Sequence, residues 1–188
     1  MDSVHSIDCK ELFKKSIEKF PNSNKWSSGC FCRIKTISNT NVGNVGEDFI
    51  LEYSKLLGLN AVLSENRTSW DIKINNIKYE LKTATEDVHG KFQFNHFRTH
   101  RLYDAAICLG VSPNELYVDV ISKTELMEKP LVSMERGANA SYKWTRTKEE
   151  LHKITSFKDL IDNFTAEFAE IKKLSEESRR KRSNIDKE

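Results

Sequence analysis

No part of this 188-residue sequence is apolar for long enough to cross a membrane. A spanning helix needs about 20 consecutive apolar residues, whereas the longest apolar run, Ala105–Val111, has only seven. Residues 1–5 also lack the basic start and the apolar stretch of a signal peptide. We therefore expect a cytoplasmic protein that has no membrane segment.

Cysteine is scarce, and its spacing is not that of a disulfide framework or a zinc site. The four cysteines are Cys9, Cys30, Cys32 and Cys108. One residue separates Cys30 from Cys32, where zinc-binding pairs have two to four, and no second pair lies nearby. Reduced thiols in a cytosolic protein are the better interpretation.

The sequence also has little excess charge of either sign. Its 30 basic and 28 acidic residues leave a formal net charge of +2, so only a local basic surface could bind nucleic acid. The length and a hydrophobic content of 38% suit one domain. We expect that domain to cover residues 1–178, followed by a basic, disordered tail over residues 179–188.

Apolar spacing predicts four helices. Steps of three and four place them over residues 9–20, from Gly46 to Leu57, over residues 93–102, and from Ser156 onwards. The segment over residues 22–44 is rich in Ser, Asn and Gly, so we expect it to be mostly loop.

Alternating or continuous apolar segments predict the strands, at residues 61–64, 70–74, 77–82, 105–111 and 116–121. Helices mixed with a hairpin and further strands favour an α/β fold with a central mixed β-sheet flanked by helices, to which a long C-terminal helix is added.

The hairpin at residues 70–82 is the informative segment. Asn75 and Asn76 suit a two-residue turn, because Asn tolerates the positive φ angles that such a turn requires. In that register Ile74 faces Ile77, and Asp71 faces Glu80. Directly paired residues have Cβ atoms about 4.5–5.5 Å apart. Two carboxylates so close repel each other unless a cation lies between them, and a hard divalent ion such as Mg2+ prefers their oxygens.

Lys82 follows Glu80 by two residues and therefore projects from the same strand face. Its ammonium group can orient a water molecule or neutralise charge on a phosphate. The alternative is an ordinary exposed strand face, on which Glu and Lys alternate for solubility. Glu-x-Lys alone carries little information, and the register that places Asp71 opposite Glu80 makes it informative.

This segment resembles the PD-(D/E)XK nuclease superfamily, which contains most type II restriction endonucleases. The matching residues are Asp71 and, after eight intervening residues, Glu80-Leu81-Lys82. Trp70 stands where the family's named Pro would be. The resemblance covers about residues 43–121. It implies that Asp71, Glu80 and the backbone carbonyl of Leu81 bind Mg2+, and that Lys82 assists the attacking water.

The resemblance extends to two flanking residues. Glu47, after Gly46, corresponds to a helix glutamate that reaches the metal site in many members of the superfamily. Glu47 is equally a good first-turn residue, because its charge favours the helix dipole. Gln93 resembles a glutamine found near the active site in several branches, although an amide with no special role is an equal alternative.

Two basic segments are candidates for contact with nucleic acid. Residues 89–103 contain no acidic residue, and polar side chains there can meet phosphates or base edges: Gln93, Asn95, Arg98 and Arg101. We expect at least two of Phe92, Phe94 and Phe97 to be core residues. A second basic cluster contains Lys143 and Arg146, and we predict that it lies on a substrate-facing loop. His96 and His100 have a helical zinc spacing, but the Glu of an H-E-x-x-H motif is missing, which argues against zinc.

The C-terminal helix carries a heptad-like apolar seam, formed by Ile154, Phe157, Ile161, Phe164, Phe168 and Ile171. It spans under three heptads, so packing on the helix's own domain is favoured over a dimer contact.

These features favour a Mg2+-dependent endonuclease that hydrolyses double-stranded DNA. By resemblance it would be a homodimeric type II restriction enzyme, because two-fold symmetry matches a palindromic site. The alternatives are a repair or phage nuclease without sequence specificity and a non-catalytic DNA-binding module on the same fold. A third alternative is an interaction protein whose hairpin charges are incidental.

Overall fold

A computed structural model of the chain describes residues 25–66 and 69–185. The expected helix over residues 9–20 lies outside them, as does Cys9. The described α-helices are α1 (Asn39–Leu56), α2 (Lys123–Glu128) and α3 (Phe157–Ile185). Short 3-10 helices lie at Cys32–Thr36, Gly137–Asn139 and Ile154–Ser156.

Nine strands form two sheets in the described part of the chain. The strands are β1 (Ala61–Leu63), β2 (Ile72–Ile74), β3 (Ile77–Thr85), β4 (Lys91–Arg98), β5 (Ala105–Val111), β6 (Leu116–Ser122), β7 (Val132–Glu135), β8 (Ser141–Thr147) and β9 (His152–Lys153). The larger sheet has the order β1-β2-β3-β5-β6-β9, and the smaller one β4-β8-β7. In the larger sheet β3 and β5 are parallel, and the other neighbours are antiparallel. The expected central mixed sheet is confirmed.

The two faces of the larger sheet are covered by different layers. On one face, buried residues such as Leu81 and Ile107 pack with Ile50 of α1 and Phe157 of α3. On the other face, residues such as Cys108 pack with the aromatic side chains of the smaller sheet. The layers therefore run from α1 and α3 to the larger sheet and then to the smaller sheet, with Leu126 of α2 packed on the side of the smaller sheet. Glu80 and Lys82 belong to the second face, because side chains alternate along β3.

The predicted hairpin is present in the predicted register. Ile72 pairs with Tyr79, and Ile74 pairs with Ile77. The turn residues Asn75 and Asn76 have φ angles of 49° and 67°, which is the left-handed conformation that a tight hairpin turn requires. Asp71 comes directly before β2, and its backbone N–H donates to the Tyr79 carbonyl at 2.8 Å.

The predicted helix over residues 93–102 is wrong, because this segment contributes to strand β4. Phe92, Phe94 and Phe97 are all fully buried, so the expectation that most of them are core residues is confirmed. A bulge between Phe94 and Phe97 shifts the register of β4 against β8. The extra residue changes the spacing of buried side chains from two to three, and that mixed spacing imitates a helix.

The predicted loop over residues 22–44 is wrong at its C-terminal end. Helix α1 begins at Asn39, where the side chain of Ser38 accepts a hydrogen bond from the Asn41 N–H at 3.3 Å. The first turns of α1 bury only Val42 and Gly46, and their other residues are mostly polar and exposed. Their composition therefore resembles a loop, although Ser38 is a good N-cap residue.

Helix α3 packs on its own domain through its N-terminal half. Phe157 and Ile161 are fully buried, and Phe164 and Phe168 pack partly against the same core. Ile171 is 62% exposed, so the apolar seam leaves the domain surface there. The helical backbone continues to Ile185, past residue 178, where we expected the ordered domain to end.

Across residues 25–66 and 69–185, no helix combines the length and apolarity that a membrane span requires.

Helix α1 crosses β3 very closely at Gly46. A Cβ atom at this position would lie 1.8 Å from the Thr83 hydroxyl oxygen, well inside van der Waals contact. Glu47 is the next residue after Gly46. The short distance between α1 and β3 at Gly46 therefore determines how near the Glu47 carboxylate comes to β3.

We predict that Gly46→Ala destabilises the protein by at least about 1–3 kcal/mol, because the methyl group must push α1 away from β3. Gly43→Ala is the matched control in the same helix: no atom lies within 4 Å of its would-be Cβ. It should instead stabilise the helix by about 0.5–1 kcal/mol. Urea unfolding of the two variants checks both values, and equal effects would contradict the close packing at Gly46.

A buried carboxylate beyond the end of β3 ties three segments together. Glu86 is 4% exposed and pairs with Lys25 at 2.8 Å and Lys148 at 3.0 Å. Its backbone carbonyl also accepts a hydrogen bond from the Trp26 indole at 3.3 Å. Burial alone would raise the pKa of Glu86, but hydrogen bonds from Lys25, Ser112 and Lys148 outweigh burial and lower it.

We predict that Glu86→Gln destabilises the protein by about 1–3 kcal/mol at pH 7, because two lysines lose their buried partner. A lowered pKa in the folded state stabilises the protein above the ordinary carboxyl value of 4.5, and this contribution disappears as the pH falls through the folded-state pKa. The difference from the wild type should therefore shrink in acid. Chemical unfolding between pH 7 and pH 3 checks this, with exposed Glu65→Gln as the control. A difference independent of pH would contradict it.

Candidate active site

The hairpin, helix α1 and strand β4 meet at one cleft of about 520 Å³. The hairpin and α1 contribute four of the predicted site residues to its lining: Glu47, Asp71, Leu81 and Lys82. Gln93 and Asn95 line it from β4. Six predicted site residues that are distant in sequence are therefore brought together, although β4 is a strand and not the expected helix.

Asp71, which lines this cleft, and Glu80, which neighbours the lining residue Leu81, are both buried. Asp71 is 6% exposed, and Glu80 is fully buried. The Leu81 backbone N–H donates to Asp71 Oδ2 at 2.9 Å, which fixes this carboxylate against β3. Glu80 Oε1 lies 2.6 Å from Lys82 Nζ. The Lys82 side chain is 18% exposed, so it connects the buried glutamate to the open cleft.

Arg101 joins the two carboxylates. Its Nη1 atom donates to Asp71 Oδ1 at 3.2 Å and also to Glu80 Oε2. Burial would lower the pKa of Arg101, but the charges of Glu80 and Asp71 outweigh burial and raise it, so the guanidinium remains charged. With Lys82 this makes two anions and two cations, so the cluster is electrically neutral.

Arg101 does not lie on an exposed surface, contrary to what its basic segment predicts. The residue is 7% exposed, and its guanidinium faces the hairpin. Arg101 lies between β4 and β5, and its sequence position gave no sign that it reaches the two carboxylates. A basic residue in a segment without acidic neighbours finds its counter-ions on a different element, which the local sequence does not reveal.

The donor set fits a hard divalent cation in its chemistry. One oxygen of each carboxylate lies within hydrogen-bonding distance of the same Arg101 nitrogen, so these oxygens converge on a single cationic position. Carboxylate oxygens are the ligands that Mg2+ prefers. In this structure the Arg101 guanidinium lies at that cationic position. Among the described residues, no group of three or more His, Cys, Asp or Glu side chains is arranged to bind a metal.

The remaining predicted nucleic-acid residues separate into two groups. Gln93, Asn95 and Arg98 are exposed on β4, and Gln93 donates to Asp87 Oδ2 at 3.3 Å. Backbone hydrogen bonding from Lys91, followed by bonding from Gln93 and His89, outweighs burial and lowers the pKa of Asp87. The amide of Gln93 is therefore held by an ionised carboxylate at the rim of the cleft.

The second basic cluster, by contrast, is not a substrate-facing loop, because Lys143 and Arg146 lie on strand β8. Arg146 pairs with Asp119 at 3.1 Å and stacks over the Trp144 ring at 4.3 Å. Its charge is therefore already matched, and the prediction that it contacts nucleic acid is not supported by its surroundings.

Two further residues of the cleft were not predicted to act there. Lys35 lines it and donates to the Thr85 hydroxyl at 3.0 Å. His96 lines it from the bulge of β4, where its φ of 61° is unusual for a residue other than glycine. Lys35 lies in the segment that we expected to be loop, and the bulge has no sequence signature. The helical zinc spacing of His96 and His100 does not apply, because β4 is a strand.

The described cysteines are Cys30, Cys32 and Cys108, and none of these three forms a disulfide in this part of the chain.

Comparison with solved structures gives a weak likeness. No model of a known protein family matches the sequence, and neither does any curated protein. A solved structure described as a bacterial homing endonuclease, I-Ssp6803I, is similar with 14% identity and a TM-score of 0.47. The match covers 72% of this chain and 99% of that chain. A likeness at this level does not establish a shared family or activity.

Proposed function

We propose that this chain is a Mg2+-dependent endonuclease that hydrolyses phosphodiester bonds in double-stranded DNA, as its resemblance to the PD-(D/E)XK superfamily implies. The observation that carries the proposal is the convergence of one Asp71 oxygen and one Glu80 oxygen on a single cationic position. Lys82 leads from this position into a cleft that could admit a phosphate.

The proposed roles follow from the chemistry of each side chain. Asp71 and Glu80 would hold Mg2+ together with the carbonyl of Leu81, and Glu47 would approach from α1. When bound, Mg2+ would polarise the phosphate and lower the pKa of a coordinated water. The ammonium group of Lys82 would orient that water or neutralise the charge that develops on the phosphate.

The cleft rim offers polar groups for the rest of the substrate. Gln93 and Asn95 present amides that can meet phosphates or base edges, and Lys35 presents positive charge. Arg98 is exposed on β4 but is not among the residues that line the cleft. Because the β4 bulge turns Asn95 and His96 towards the cleft, these two residues are the best candidates for contacts beside the scissile phosphate.

A type II restriction enzyme acting as a cytoplasmic homodimer is the specific form of the proposal. The exposed apolar residues Ile171 and Leu174 on α3 support a contact between two copies. A repair or phage nuclease without sequence specificity would use the same site without needing this contact. Sedimentation velocity of the wild type and of an Ile171→Lys, Leu174→Lys variant separates the two oligomeric states.

A second candidate is a DNA-binding module without catalysis. Arg101 favours it, because this residue neutralises the two carboxylates with no metal. Such a module would bind DNA equally well in Mg2+ and in EDTA.

We predict cleavage of plasmid and phage DNA in Mg2+, and none in Ca2+ or EDTA. Glu80→Gln should abolish cleavage, and Lys82→Met should slow it by about 10²–10⁴-fold, the usual contribution of a general acid or base. Gel electrophoresis after timed digestion measures both effects. The matched controls remove the same charges from the exposed pair on α1: Glu52→Gln and Lys55→Met should cut like the wild type.

Discrete fragments would support a sequence-specific enzyme, and a smear would support a non-specific one. The nuclease proposal fails if unmodified, methylated, branched and single-stranded DNA all remain intact in Mg2+. It also fails if Glu80→Gln cuts as fast as the wild type, because the cluster would then have no part in the reaction.

A further inference from the structure

Arg101 holds the position that the proposed function assigns to a metal ion. Its Nη1 atom binds one oxygen of Asp71 and one of Glu80, and its side chain is 7% exposed. The other oxygen of Asp71 is occupied by the Leu81 N–H, and the other oxygen of Glu80 by Lys82. The oxygens that Arg101 now binds are the pair that converges on one position, so a cation held by both carboxylates would compete with Arg101 for them.

Charge leads to the same conclusion as geometry. Asp71 and Glu80 carry two negative charges, and Arg101 and Lys82 carry two positive charges. A divalent cation added to this neutral, buried cluster would leave an excess of +2, which is costly where solvent is largely excluded. If Arg101 leaves, the excess falls to +1, which either the Glu47 carboxylate of the same cleft or one phosphodiester anion beside the metal would neutralise.

Only the side chain of Arg101 needs to move. Its backbone carbonyl accepts a hydrogen bond from Lys123 Nζ at 2.6 Å, and its backbone N–H donates to the Arg98 carbonyl at 3.3 Å. These contacts hold the main chain between β4 and β5. A buried guanidinium that leaves two carboxylates requires another anion, and a DNA phosphate is the anion that the proposed function brings to the cleft.

We propose that Arg101 is a displaceable counter-ion that links metal binding to substrate binding. In the free protein it neutralises Asp71 and Glu80 and keeps metal affinity low. When a divalent cation and DNA bind together, Asp71 and Glu80 would hold the cation and Arg101 would move to a phosphate. This inference rests on the proposed function, and it makes Arg101 a positioning residue for both ligands.

The two ligands must then strengthen each other's binding, because a coupling free energy between two sites is reciprocal. Without DNA, the wild type should bind divalent cations weakly. Arg101→Met removes the competing charge but keeps most of the side-chain volume. It should bind the cation at least about tenfold more tightly without DNA, and DNA should then improve metal affinity less than it does in the wild type.

Isothermal titration calorimetry with Ca2+ tests this without cleavage, using the full chain and a DNA duplex. Wild type, Arg101→Met and Arg136→Met are titrated with and without the duplex. Arg136 is exposed and distant in sequence from the hairpin, so its variant should bind Ca2+ like the wild type. Tighter Ca2+ binding only in Arg101→Met, together with reduced coupling to DNA, would support the inference.

Thermal unfolding provides a second readout if Arg101→Met folds poorly. Without Arg101, Lys82 is the one cation left in the cluster for two buried carboxylates. This imbalance should lower the melting temperature in EDTA, and Ca2+ should restore it by more than it raises that of the wild type. A variant that gains no more from Ca2+ than the wild type overturns the inference.

The outcomes also separate this inference from the proposed function. If the wild type cuts DNA and Arg101→Met binds Ca2+ no more tightly, the displacement of Arg101 is wrong and the nuclease proposal stands. If neither protein binds Ca2+ with or without DNA and no DNA is cut, both are wrong, and Arg101 is a permanent structural partner of Asp71 and Glu80.

Discussion

The burial of two carboxylates side by side is the constraint on which this site depends. Moving an ionised carboxylate out of water costs several kcal/mol unless a partner offsets the loss. Glu80 is fully buried on a central strand, and Asp71 lies next to it. Their partners come from two directions, since Lys82 is on the same strand whereas Arg101 belongs to the connection between β4 and β5. The charge requirement of the hairpin therefore also positions that connection.

The hairpin could be predicted from sequence because the forces that specify it are local. Two Asn residues favour the turn, and strict alternation on both sides allows one register to bury a continuous apolar face. Extending that register by one pair brings Asp71 near Glu80, although Asp71 itself lies just before the paired residues of β2. The pairing of Glu80 with Lys82 follows from the alternation of side chains along one strand. These relations involve residues within about a dozen positions of one another, and the structure agrees with them.

The remainder of the site depends on contacts between distant elements, which local patterns do not encode. The smaller sheet forms because Phe92, Phe94 and Phe97 cover one face of the larger sheet, yet the β4 bulge gives them a spacing that favours a helix. For the same reason Arg101 was expected at the surface, although its partners lie 21 and 30 residues away in the sequence. Helix α1 begins at Asn39, before the predicted start at Gly46. The sequence did not reveal this because the first turns are solvated and have the polar composition of a loop.

The charges of the cluster are distributed unevenly, and this bears on what the cluster is for. A buried ion pair contributes little net stability, because the cost of desolvation often exceeds the attraction. An ion pair with a purely structural role would be most stable if both of its side chains were equally shielded from solvent. Here Glu80 is fully buried, but Lys82 opens into the cleft that Asp71 also lines. One end of the network is therefore in reach of a ligand while the other is held by Arg101. Such an arrangement places two carboxylates, neutralised by Arg101 and Lys82, below an accessible ammonium group. Under the proposed function, a cation with an attached phosphate would match both.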